Sequence, residues 1–193
     1  MTVLYAGRLV PYKCADIVVQ AFADSEILRN HQLIVVGDGP DRTMIEQIVT
    51  SSDLHHCVEV RGRVEHGAVE DLMHEHEVFA FPSIRELGAS VVVEAMGAGM
   101  CPVVVDYGAP GAYIDDTRGV KLHLTDKKTL IDDMRSTLER LAGDPAKRIS
   151  LGNAAHEYVK TRHSWNVKAM KIVQVYEWLL GRSSDRPNFH TPP

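Results

Sequence analysis

Short apolar runs alternate with longer amphipathic stretches along most of this chain, and that rhythm leaves few folds open. Val3-Leu4-Tyr5-Ala6 reads as a strand, and Ala15 to Phe22 follows with apolar residues at helical spacing. Leu33-Ile34-Val35-Val36 is a continuous apolar run, as expected for a strand buried on both faces. Gly37-Asp38-Gly39-Pro40 breaks it, and Arg42 to Val49 resumes a helical pattern. Further strands are predicted at Val58 to Arg61, Val78 to Phe81, Pro102 to Val105 and Val120 to Leu122, with a short helix over Ala68 to His74. A βαβα order implies an α/β fold: a doubly wound, Rossmann-like parallel sheet flanked by helices.

One segment resists a local reading. Val91-Val92-Val93 favours a strand, whereas Glu94-Ala95-Met96 favours a helix that Gly97 and Gly99 weaken. A helix from about Ser90 to Ala98, stopped at Gly99, keeps the alternation intact. From Lys127 onward the pattern is helical, over Thr129–Leu141, Pro145–Arg162 and Val167–Leu180, with Ser164 as an N-cap. The proline-bearing segment 183–193 is expected to be a disordered tail, leaving 1–182 as one domain.

Charge and cysteine usage narrow the partners. The net charge of −5 provides no basic field for nucleic acid or an anionic membrane. No apolar stretch approaches the roughly 20 residues that span a bilayer. The opening MTVLYAGRLV lacks the charged and apolar regions of a signal peptide. Cys14, Cys57 and Cys101 are isolated and odd in number, which fits a reducing, cytoplasmic setting. The ten histidines form no metal set: His55-His56 are adjacent and His74 and His76 are two apart, so neither pair shares a helix face.

Ligands of open parallel sheets bind beyond the carboxyl ends of the strands. The loops there carry Gly7 through Lys13, Gly37 through Pro40, Gly62-Arg63-Val64, and Pro82 through Ser90. Arg8 and Lys13 supply a planar fork and a point charge able to neutralise a diphosphate, although on spacing alone solvated surface cations are the commoner meaning of such a pair. Gly88-Ala89-Ser90 opens the next helix, where small residues and a helix N-terminus suit an anion; an ordinary turn is the alternative. Glu86 and Glu94 have seven residues between them. With Glu94 about one turn into the helix, both carboxylates would face the crevice and accept from paired hydroxyls.

Taken together and in order, these blocks resemble the C-terminal domain of the retaining GT-B glycosyltransferases of family 4, the glycosyl transferases group 1. The resemblance rests on Ala6-Gly7-Arg8-Leu9 with Lys13, on Leu33-Ile34-Val35-Val36-Gly37-Asp38-Gly39-Pro40, and on Val60-Arg61-Gly62-Arg63-Val64. It continues through Phe81-Pro82-Ser83, Glu86 with Glu94-Ala95-Met96, and His163-Ser164-Trp165, covering roughly residues 3 to 180. It implies one half of a GT-B fold with extra C-terminal helices. The implied function is binding of a nucleotide sugar, with UDP or GDP as leaving group, for hexosyl transfer to an acceptor with retention. By the same resemblance Arg8 and Lys13 bind the donor diphosphate, Glu86 lies near the transferred sugar and Glu94 binds the ribose. Val64 falls where loop backbone contacts the nucleobase, and Leu87, Gly88 and Ala89 offer backbone amides to phosphate or sugar. No metal or other cofactor is implied, because cations and a helix N-terminus do that work.

Two departures stand out. The family's usual Glu-Gly-Phe-Gly reads Glu86-Leu87-Gly88-Ala89 here, and Cys14 replaces a glycine that commonly follows the lysine. The acceptor-binding N-terminal domain is expected to be missing from this chain, with Met1 as a boundary rather than a natural start and with little activity for the chain alone. Peripheral membrane association of a full enzyme is compatible with this. In the last helix Val167, Met170, Val173, Val175, Tyr176 and Leu179 would form an apolar surface facing that domain, or else pack within this one. The rival functions are a nucleotide-sugar epimerase, which calls for a more acidic or histidine-bearing crevice, and a non-catalytic nucleotide-binding module.

Overall fold

The computed structural model describes residues 1–189, the side chain of His66 aside. Six parallel strands form one sheet: β1 (Thr2–Ala6), β2 (Gln32–Val36), β3 (Val58–Gly62), β4 (Val78–Phe81), β5 (Cys101–Val105) and β6 (Val120–Leu122). Their spatial order is β3-β2-β1-β4-β5-β6. The chain therefore leaves β1 in one direction and returns to its other side at β4, which makes β1/β4 the topological switch point.

The helices are α1 (Ala15–Ala23), α2 (Arg42–Ser51), α3 (His66–Glu75), α4 (Ser90–Gly97), α5 (Gly108–Tyr113), α6 (Lys127–Gly143), α7 (Pro145–Arg162) and α8 (Trp165–Leu179). Right-handed crossovers running opposite ways from the switch point put them in two layers. In one, α1 packs against α2 and α6; in the other, α4 packs against α3 and α7.

The core lies in the sheet. All four residues of β4 and all five of β5 are buried, as their unbroken apolar sequences require. Phe79 and Phe81 stack at 5.7 Å, and Tyr5 stacks on Phe81 at 5.9 Å, each ring contributing about 1.5–3 kcal/mol by burial. β2 departs from full burial, with Ile34 half-buried.

Tertiary packing settles the ambiguous valine run. It is helix α4, because Val92, Ala95 and Met96, at i, i+3 and i+4, all bury toward the core. Gly99 follows with φ +85, the left-handed stop expected after the helix. The three C-terminal helices form where the sequence placed them. Asp126, Asp144 and Ser164 each accept a bond from the backbone N–H three residues on. Helix α5 escaped sequence reading, since Gly108-Ala109-Pro110-Gly111 is a poor helix former.

None of α8 is buried, and Met170, Val173, Tyr176 and Leu179 are exposed. Of the apolar surface expected there, these four residues stand open, whereas Val167 and Val175 are half-buried. Among the described residues no helix is long and apolar enough to cross a membrane. Of the expected tail, Ser183 to Phe189 forms neither helix nor strand, and residues 190–193 lie outside the described residues.

Candidate active site

The loop after β1 is shaped by close backbone approach. Gly37 has φ +145, and a Cβ there would sit 1.8 Å from the carbonyl oxygen of Gly7, so only glycine lets the β1 and β2 loops touch. The loops are laced by Gly7 N–H to Val36 O at 3.0 Å and Leu9 N–H to Asp38 O at 2.9 Å. Beneath them the Tyr5 hydroxyl reaches the carbonyls of Arg8 (3.3 Å) and Lys13 (3.5 Å). Burial, with the nearby Cys14 and Glu86, pushes the Tyr5 phenol far above its ordinary value, so it stays a neutral donor. Pro11–Lys13 forms a single 3₁₀ turn, and Cys14 then takes φ 54 before α1 begins. That left-handed backbone is the physical reason glycine suits the position better.

The loop after β4 faces the first one. Ser83 is fully buried, and its hydroxyl lies 2.9 Å from Glu86 Oε1 and 3.2 Å from the Tyr12 carbonyl. The Ile84 N–H donates to the same Tyr12 carbonyl at 2.9 Å, tying the two loops together. Glu86 forms an ion pair with Lys13, whose ammonium also stands 5.0 Å over the Phe81 ring. Arg8 instead donates to the Tyr12 hydroxyl, a neutral partner. Lys13 is thus neutralised within the protein and Arg8 is not.

Behind Glu86 the backbone is again crowded. Gly108 has φ +59, and a Cβ on it would meet the Glu86 carbonyl at 2.5 Å. The Tyr113 hydroxyl donates to Gly88 O at 3.0 Å. Ala89 caps α4 with φ 44, so the departure from glycine there leaves an alanine in the left-handed region. Among the described residues no acceptor takes the N–H of Leu87, Gly88 or Ala89, and these precede the positive end of α4.

At the switch point these loops enclose an open cleft of about 630 Å³. Of the residues singled out in the sequence, Arg8, Lys13, Val64, Glu86, Ala89 and Glu94 all line it. Leu87 and Gly88 do not, and Leu87 is 98% exposed. Sequence reasoning gave no role to Ser83 or Tyr12, and it missed Val69 and Val91 in the lining. The position of Ser83 after Phe81-Pro82, at a strand end, was the available signal for the first. The partnership of Tyr12 with Arg8 left no trace in spacing.

The family description glycosyl transferases group 1 matches residues 1–158. The chain belongs to this family. Among its relatives is the phosphatidylinositol N-acetylglucosaminyltransferase gpi3 subunit of Schizosaccharomyces pombe, 25% identical over 190 residues, which cover 96% of this chain and 40% of the relative. A sucrose-phosphate synthase from Thermosynechococcus elongatus superposes with a TM-score of 0.77 at 26% identity, over 94% of this chain and 46% of that one. An Anabaena protein, HepE, crystallised with UDP, shares the fold with a TM-score of 0.75 at 22% identity, over 93% and 48%. This glycosyl transferases group 1 chain therefore spans less than half the length of these relatives, and its architecture is the doubly wound half of a GT-B fold.

Proposed function

We propose that this chain is the donor-binding half of a retaining glycosyltransferase that moves a hexosyl group from a nucleoside-diphosphate sugar to an acceptor. The observation that carries the reading is the convergence of Arg8, Lys13, Glu86 and Glu94 on one cleft at the switch point. Arg8, with only a neutral phenol as partner, attracts the diphosphate. Lys13, which holds Glu86 by one of its three donors, can offer the others to the same phosphates. The N–H groups of Leu87 to Ala89 extend that cradle with backbone alone, so the exposed Leu87 side chain is no obstacle. As the bond to the sugar breaks, these groups stabilise the charge gathering on the departing diphosphate. That requirement is met without a metal ion.

Glu86, held by Ser83 and Lys13, is the carboxylate for the transferred sugar, and Glu94, one turn into α4, the one for the ribose. Val64, on the loop after β3, lies two strands from β1, roughly 10 Å away, which is the reach from a diphosphate to its base. Residues 1–182 act as this donor domain, and the acceptor comes from parts of the enzyme beyond this chain. A cytoplasmic setting agrees with Cys14, Cys57 and Cys101, all buried and unpaired.

NMR titration with UDP and GDP tests the assignment. Shifts concentrated at Gly7, Arg8, Val64, Gly88 and Ala89 are expected. Saturable binding with its shifts elsewhere would refute the site.

A further inference from the structure

Behind the two loops that wall the cleft lies a second cavity of about 370 Å³. It is built from the other faces of the same segments: Pro11 and Cys14 of the first loop and Ile84 of the second line it, and no residue lines both cavities. Ile17, Met44, Leu124 and Leu130 supply apolar wall, and Asp16, Asp41 and Lys127 supply charge. The Cys14 thiol, pushed up to about 11 chiefly by burial and then by Asp16, is an uncharged part of the surface.

The charges do not balance. Asp16 is buried, and its carboxylate is held by Lys127 at 2.5 Å. Asp41 precedes α2, yet its side chain makes no capping bond. Among the described residues no hydrogen bond or ion pair reaches its carboxylate. Burial and then the neighbouring Asp16 raise its pKa above the ordinary carboxylate value, with the Lys127 ammonium, already engaged by Asp16, opposing them only in part. Two carboxylates therefore face one ammonium, inside a cavity of ligand size whose remaining wall is apolar apart from Thr125.

We propose that this cavity binds a small organic cation, a primary amine whose apolar body packs on Ile17, Met44 and Leu130 and whose ammonium pairs with Asp41. An anion of the same shape is repelled by Asp41. A neutral isostere fills the space but forgoes the ion pair. The site shares no residue with the donor cleft and stands independently of the glycosyltransferase reading.

Benzylamine, benzyl alcohol and benzoate serve as probes, titrated into the chain and followed by NMR. Saturable benzylamine shifts at Ile84 and Leu130 are expected, with benzyl alcohol weaker by about fivefold and benzoate weaker still. Asp41→Asn should bring benzylamine down to the level of the alcohol. Lys127→Met, which frees Asp16, should tighten benzylamine, an effect of opposite sign that a damaged fold cannot imitate. The proposal is overturned if the alcohol matches the amine, if both variants leave the amine unchanged, or if no probe saturates. UDP titrated into the same samples reports separately on the donor cleft.

Discussion

Lys13 and Glu86, 73 positions apart in sequence, form an ion pair inside the cleft that neutralises one of the three cations lining it, Arg8, Lys13 and Arg63. Releasing that lysine should favour an anionic ligand. Glu86→Gln keeps an oxygen for the Ser83 hydroxyl while removing the charge. The affinity for a nucleoside diphosphate should then rise by about fivefold, the worth of roughly 1 kcal/mol of Coulomb energy in a partly exposed site. Titration calorimetry with UDP and GDP checks this; unchanged or weaker binding would mean that Glu86 itself helps hold the nucleotide.

Ala89 carries φ 44 at the start of α4, in a backbone region that glycine enters without a steric penalty. Ala89→Gly should therefore stabilise the domain by about 0.5–1 kcal/mol, the relief of strain less the added freedom of the unfolded chain. Urea unfolding measures it, and a loss of stability would show that the alanine methyl, largely buried here, matters more than its backbone.

At the opposite end of the sheet Glu77 binds Arg148 of α7 at 2.7 Å and accepts from the Thr2 N–H at 2.9 Å. Burial alone would raise its pKa, but these bonds outweigh it and hold the carboxyl below its ordinary 4.5. A depressed carboxyl contributes stability above the unfolded value, and that contribution is lost as pH falls through the folded value. Glu77→Gln should cost about 1 kcal/mol at pH 7, and the gap should close below about pH 4.5. Thermal melts across pH 3 to 7 decide it; a gap independent of pH would remove charge from the explanation.

How much of this was readable beforehand depended on how local each cause is. The strands β1, β4 and β5 announce themselves because buried parallel strands must be continuously apolar. Helix α4 could not be settled by propensity, since Val91-Val92-Val93 became helical only through what Val92, Ala95 and Met96 pack against. Short α5 was invisible because Gly108 serves a close approach to Glu86 and Gly111 one to Asp106, not helix formation. Within the site, residue types at strand ends pointed to Arg8, Lys13, Glu86 and Glu94. The pairing of Lys13 with Glu86 and of Arg8 with Tyr12 depends on loop paths that no spacing encodes. Leu87 was singled out for its backbone amide alone, and its exposed side chain leaves that expectation where it stood.

Helix α8 presents Met170, at 58% exposure, and Leu179, at 66%, on a surface left open among the described residues. Replacing either with glutamate should change stability by less than about 0.5 kcal/mol, as measured by urea unfolding. A cost above about 2 kcal/mol would show that these side chains are packed in the free chain.

The most direct test of the donor site compares nucleoside diphosphates with their monophosphates, in the wild type and in an Arg8→Ala/Lys13→Ala variant. Titration calorimetry with UDP, GDP and ADP should find one base that binds. The double variant should lose at least about tenfold for its diphosphate, two charge-assisted contacts being removed, while the monophosphate changes little. Equal diphosphate affinity in the two proteins would contradict the account, because Arg8 and Lys13 would then have no part in holding the ligand.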